Sequence, residues 1–154
     1  MKKKLRVFAP ATIANVGPGF DLLGLAIDSP GDVIELEVID AQEHRIINDT
    51  RWDLPTDPSR NVSTVALDAF LDHTGIRNKF SVRFLEKIPP GSGIGSSSAS
   101  SAGAVFAANV LMGKPLGTRD LVPLAMKGEA VASGSEHADN VAPALLGGMT
   151  LVHS

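Results

Sequence analysis

The predicted order of elements is β, β, α, β, α, α, β, which indicates a mixed α+β domain and not a regular doubly wound sheet. Three observations carry this expectation. Val33–Ile39 alternates apolar and acidic positions, Val65, Ala66, Ala69 and Phe70 recur at helical spacing, and the Gly/Ser-rich stretch Pro89–Ser101 separates an alternating strand from an Ala-rich helix. With 154 residues, 44% hydrophobic and 20% charged, the chain suits one ordinary globular domain, 1–154.

Leu5–Ala9 is short, apolar and partly β-branched, and a strand is expected there, ending at Pro10. Asn15–Gly19 (NVGPG) is turn chemistry. In Val33–Ile39 one face carries Glu35 and Glu37 and the other Ile34 and Leu36, as in a half-buried strand. Asp40–Arg60 reads as a polar surface excursion with a short strand at Arg45–Ile47. The helix from Val62 has Asn61 or Ser63 to cap it and Gly75 to end it. Phe80–Leu85 is the next strand, and Ser96–Met112 the next helix, closed by Gly113 and Pro115. Thr118 is expected to cap a helix through about Val131, with Pro123 tolerated in its first turn and Gly134 interrupting it. Asn140–Leu146 reads as a further helical turn or two. Met149–Val152 reads as a last strand, and its closeness to Ser154 reads as a domain cut from a longer chain.

Composition excludes several function classes. A formal charge of −3 leaves no electrostatic footprint for nucleic acid, and the Lys2–Lys4 run reads as a solvated terminus. The absence of cysteine removes disulfides, thiolate nucleophiles and zinc–thiolate sites. No apolar run reaches the length of a membrane span or a signal h-region, so a cytoplasmic location is expected.

The chemistry is concentrated at Pro89–Ser101 (PPGSGIGSSSASS). Gly91, Gly93 and Gly95 let backbone N–H groups turn toward an anion, and the following helix adds its unsatisfied amides and the positive end of its dipole. Ser96–Ser98 offer hydroxyls to phosphate or to Mg2+. Neither the GxxxxGK[ST] nor the GxGxxG pattern is met: no lysine occupies the loop, and Ser98 stands three residues beyond Gly95. A flexible linker would share the composition, but not the position between a strand and a helix.

Three segments together resemble the GHMP kinases, and among them the homoserine kinases. These are the loop itself, Ala9–Ile27 (APATIANVGPGFDLLGLAI) and Ser133–Gly148 (SGSEHADNVAPALLGG), in the family's order and spacing. The resemblance implies a fold like the second domain of ribosomal protein S5, with a C-terminal ferredoxin-like domain that this chain lacks. It implies ATP and Mg2+ as cofactors, L-homoserine as small-molecule substrate, and O-phospho-L-homoserine, on the route to threonine, as product. No nucleic acid or membrane partner is implied; whole homoserine kinases are often dimers, and whether the full-length enzyme is a homodimer stays open.

Carried over by the resemblance, Pro89, Pro90, Gly91, Ser92, Gly93, Ile94, Gly95, Ser96, Ser97, Ser98 and Ala99 are the ATP loop, with Asn61 and Val62 on the adenine side. Asn61 serves equally as a plain N-cap. Glu129 would be the Mg2+ carboxylate, partnered by Ser97, against the bland role of a surface glutamate. Asp21 would hold the α-ammonium of the substrate, with Asn15 and His137 as further contacts; turn formation is the alternative for the first two. Asp139, Asn140 and His137 are the catalytic candidates, and Asp139, His137 or no base at all remain open for the proton of the attacking hydroxyl. His44, His73 and His153 are expected to be structural or exposed. Two other readings stand beside this one: another GHMP small-molecule kinase, and a nucleotide-binding module without turnover.

Overall fold

A computed structural model describes residues 3–19 and 21–153. Lys2 of the basic run and Phe20 of the first motif lie outside the described residues. The elements are β1 (Lys4–Ala14), a 3-10 turn at Gly17–Gly19, β2 (Leu23–Ile39), β3 (Arg45–Asn48), α1 (Val62–Thr74), β4 (Lys79–Glu86), α2 (Ser96–Leu111), a second 3-10 turn (Thr118–Leu121), α3 (Val122–Ser133), α4 (Ala138–Leu146) and β5 (Met149–Leu151). The mixed α+β expectation holds in this order.

The sheet runs β1-β2-β4-β3, and β5 pairs with the other end of the long β2. β1, β4 and β5 are antiparallel to β2, while β3 lies parallel to β4. Alternation sets the faces. Ile34, Leu36, Phe80, Val82 and Phe84 point inward and are fully buried against Leu67 and Phe70 of α1 and Val105 of α2. On the outer face, Lys4 lies 2.9 Å and Arg6 3.2 Å from the Glu35 carboxylate, so the alternating acidic positions pair across the strands.

Three boundaries differ clearly from the sequence expectation. β1 does not stop at Pro10. Proline cannot donate to a ladder, but here it falls at an irregularity where the β2 partner jumps from Gly31 to Ala26, and the strand resumes through Thr12–Ala14. β2 likewise starts ten residues before Val33, because Leu23–Leu25 pair with β5 and Gly24 and Leu25 also with β1, long-range partners that local alternation does not reveal. Thr118 does not cap α3 either. The Asp120 carboxylate accepts from the Gly117 N–H (3.2 Å), capping a short 3-10 turn, and α3 begins at Val122 with Pro123 in its first turn.

The helix ends follow the sequence closely. Asn61 caps α1 by accepting from the Ser63 N–H at 3.0 Å, and Gly75 and Gly134 close α1 and α3 in left-handed conformation. His44 is buried, its Nδ1 accepting from the Phe80 N–H at 3.0 Å and its Nε2 donating to Asp68 at 3.1 Å. It is structural, as expected, and His73 and His153 are exposed.

Candidate active site

The loop after β4 and the N-terminus of α2 form one wall of a cleft of about 560 Å3. Gly91, Gly93 and Gly95 all have positive φ (75°, 79° and 71°), and all three line the cleft. The intervening residues turn elsewhere. Ser92 is exposed and its N–H closes a turn on the Pro89 carbonyl at 3.2 Å. Ile94 packs on Ala9, Ala11, Ile88 and Ala99, and its carbonyl accepts from the Thr12 N–H at 3.0 Å. Of the eleven expected loop residues, Pro90, Gly91, Gly93, Gly95, Ser96, Ser97 and Ser98 therefore face the cleft, whereas Pro89, Ser92, Ile94 and Ala99 shape the loop from behind.

The Ala99 N–H, donating to the Gly95 carbonyl at 2.9 Å, makes the first bond of α2. The amides of Ser96, Ser97 and Ser98 are left at the positive end of the helix, an arrangement that suits a phosphate group. Gly95 is required sterically as well as conformationally: a Cβ there would sit 2.1 Å from Thr12 Oγ1. Opposite, Asn61 and Val62 line the cleft with Leu54 and Pro55. The Asn61 side chain is committed to the fold, since its Oδ1 caps α1 and its Nδ2 donates to the Pro55 carbonyl at 2.9 Å. Both of these hydrogen bonds go to the protein, and the residue forms part of the cleft wall.

A smaller cavity of about 120 Å3 adjoins this cleft, lined by Asn15, Asp21, Ser98, Glu129, His137, Asp139 and Asn140. Chain segments more than a hundred residues apart thus converge on one spot. Asn15 and Asp21 both adopt left-handed backbone (φ 60° and 59°), and Asn15 Oδ1 accepts from the Asp21 N–H at 2.9 Å. The turn role and a binding role are compatible here: the hydrogen bond spends Asn15 Oδ1 and the Asp21 amide, and leaves the Asp21 carboxylate to the cavity. α4 brings Asp139 and Asn140 down against β2, an approach close enough that a Cβ on Gly24 would lie 1.7 Å from the Asp139 carbonyl oxygen. Asp139 is buried, and its carboxylate accepts from the Asn140 N–H at 3.1 Å. His137 is exposed at the cavity rim, within reach of the Ser135 hydroxyl at 3.2 Å.

Ser98, Glu129 and Asn140 line both spaces. Glu129 is only 8% exposed, so the surface-glutamate alternative is excluded, and Ser133 donates to its Oε2 at 2.8 Å. The described residues contain no cluster of three acidic or histidine side chains able to cage a metal alone. One carboxylate with neighbouring serine hydroxyls fits Mg2+, which keeps several waters and takes further oxygens from substrate phosphates. Among its lining residues the small cavity has three carboxylates and no lysine or arginine, so it favours a cationic group.

Two site residues were not anticipated. Asp32 of β2 is fully buried, and Lys87, which lines the cleft, lies 3.1 Å from its Oδ2. Burial pushes the Asp32 carboxyl up and the Lys87 ammonium down, with their mutual attraction opposing both. A charged pair separated by 55 residues has no local sequence signal. No helix of the described residues is long and apolar enough to cross a membrane.

Residues 61–148 match the family described as GHMP kinases N terminal domain. A homoserine kinase of Methanococcus vannielii is 42% identical over 151 residues, covering 97% of this chain and 50% of the relative. A homoserine kinase of Chloroherpeton thalassium is 41% identical, with 99% and 51% covered. The crystal structure of homoserine kinase from Cytophaga hutchinsonii aligns with a TM-score of 0.93 at 46% identity, covering 100% of this chain and 50% of that one. A mevalonate kinase of L. major, crystallised in complex with R-mevalonate, shares the fold at a TM-score of 0.70 and 19% identity, with 97% and 49% covered. The chain spans about half the length of these relatives.

Proposed function

The chain belongs to the GHMP kinases, and on that premise we propose that it is the nucleotide-binding part of an ATP-dependent kinase acting on the side-chain hydroxyl of L-homoserine. The observation that carries this reading is the junction at Ser98, Glu129 and Asn140, which borders both the phosphate cleft and the small acidic cavity. A γ-phosphoryl group at that junction would meet a hydroxyl held in the cavity.

The acceptor follows from charge. Asp21, Glu129 and Asp139 line a cavity with no lysine or arginine, which suits the ammonium end of an amino acid and disfavours an anionic isoprenoid precursor. The Asp21 carboxylate would bind that ammonium, with Asn15 and His137 beside it. The carboxylate end of homoserine needs cationic partners that the cavity does not supply. We infer that they come from a second domain outside the chain, a reading supported by relatives of twice its length.

In the transfer, the homoserine oxygen attacks the γ-phosphorus in line, the bond from that phosphorus to the β–γ bridging oxygen breaks, and ADP leaves with the electron pair. A loose transition state asks the protein chiefly for positioning and charge stabilisation. The α2 amides and glycine loop would hold the phosphates. Mg2+, when bound by Glu129 and Ser97, would neutralise charge on the β- and γ-phosphates. Asn140 and buried Asp139 would orient the hydroxyl; Asp139, the exposed His137 and bulk water are the three destinations for its proton.

A coupled ADP-release assay on the intact protein tests the proposal. Turnover with L-homoserine, and at most a few per cent of that rate with mevalonate or galactose, is expected. Equal rates with all three would sink the homoserine assignment while leaving the kinase reading in place.

A further inference from the structure

The loop that faces the cleft is tied at both ends to one buried ion pair, Asp32 and Lys87, which lies outside all three sequence motifs. Lys87 and Ile88 precede the loop, and Ser96 and Ser100 follow it. The Lys87 ammonium reaches the Ser96 carbonyl at 3.0 Å, the Ser96 hydroxyl, and the Asp32 carboxylate at 3.1 Å and 3.2 Å. All three of its protons are thereby engaged. Asp32 Oδ1 also accepts from the Ile88 N–H at 2.8 Å, and its Oδ2 from the Ser100 hydroxyl at 2.6 Å. The Ser96 hydroxyl in turn donates to the Ile88 carbonyl at 2.9 Å, closing the ring from loop start to loop end.

Such a pair is a poor device for stability alone, because taking two charges out of water offsets most of their attraction. It does impose one geometry. Every acceptor position of Asp32 is filled by a group from one end of the loop or the other, so the two ends cannot separate without stranding a buried charge. Lys87 lines the cleft, yet its protons are spent on protein atoms, which distinguishes it from a lysine that grips phosphate directly.

We propose that Asp32 and Lys87 are positioning residues that staple the two ends of the loop and so pre-organise its amides for a nucleotide phosphate. The role rests on the kinase reading above. It works by removing the ordering cost that binding would otherwise carry.

The test compares intact wild-type protein with the single variant K87M and the double variant D32N/K87M. The double variant removes both charges and keeps the side-chain bulk, so no buried charge is left unpaired. Calorimetry with ADP and Mg2+ should show Kd raised at least about tenfold in D32N/K87M, the scale of losing a supporting contact. Amide hydrogen exchange without nucleotide should speed up at residues 91–98 and stay unchanged in α1. Folded D32N/K87M that binds ADP within twofold of wild type, with unaltered exchange at 91–98, would overturn the staple. Wild-type protein that bound no ADP would overturn the nucleotide reading itself, a distinguishable outcome.

Discussion

Thr12 Oγ1 donates to Asn140 Oδ1 at 2.7 Å, joining the first strand to the fourth helix across 128 residues of sequence. The bond lies under Gly95, where a Cβ would strike Thr12 at 2.1 Å and Asn140 at 3.2 Å. It engages the Asn140 oxygen and leaves the Nδ2 group as the donor of a residue that lines both the cleft and the small cavity. The strand, the phosphate loop and the candidate catalytic helix are thus locked at a single point.

Thr12→Val should therefore lower kcat by roughly tenfold or more, because an Asn140 side chain without its partner loses its fixed orientation, and a lost buried hydrogen bond costs about 1–2 kcal/mol. Asn140→Ala should cost more. In the double variant the two effects should fall well short of additive, as for residues in direct contact. Full additivity in kcat would show that the bond does not orient Asn140.

Asp21→Asn isolates charge from conformation. Asn tolerates the left-handed backbone seen at φ 59°, and the Asp21 N–H bond to Asn15 is retained. The KM for homoserine should rise about 10- to 100-fold, the size of a charge-assisted hydrogen bond, with the KM for ATP unchanged. An unaltered homoserine KM would place the ammonium elsewhere.

Glu129→Gln should leave the fold intact and reduce Mg2+-dependent turnover on the order of 100-fold, comparable to losing one electrostatic stabiliser of a transition state. Its side chain bonds Ser133, a contact that glutamine can keep. Retained turnover with the same Mg2+ dependence would contradict the ligand assignment.

Gly128→Ala tests the helix packing behind Glu129. A Cβ there would lie 2.2 Å from the Val62 carbonyl, 2.8 Å from Ala66 Cβ and 3.0 Å from Ser101 Cβ, so α3 must move away from α1 and α2. Urea denaturation should show a loss of about 2–3 kcal/mol, the upper range for an overpacked core. A change within roughly 0.5 kcal/mol is incompatible with that close crossing.

His44 sets a pH dependence of stability. Desolvation holds its pKa below the ordinary value, outweighing the attraction of Asp68, and its Nδ1 already serves as acceptor for the Phe80 N–H. The folded state then binds fewer protons than the unfolded state below about pH 6.5. The contribution of the neutral ring is complete above that pH and is lost as pH falls toward the lowered folded pKa. Tm should decline with acidification through this window, and His44→Gln should flatten the decline; an equally steep decline in the variant would assign it to other groups.

Much of this protein was legible in sequence where the controlling physics is local. The glycine spacing of Gly91–Gly95 before an Ala-rich helix announced an anion-binding loop, Asn61 or Ser63 announced the start of α1, of which Asn61 is the cap, and Gly75 and Gly134 announced helix ends, because backbone freedom and capping depend on a few adjacent residues. Alternation assigned Glu35 to the outer face and Ile34 to the core for the same reason. The continuation of β1 past Pro10, the early start of β2 at Leu23 and the division of the loop into cleft-facing glycines and core-facing Ile94 depended on distant strands. The Asp32–Lys87 pair and the Thr12–Asn140 bond also belong to tertiary structure alone. Burial and pairing of polar groups are set by which segments meet. In this fold the meeting point lies between residues separated by 55 and 128 positions, beyond the reach of any local pattern.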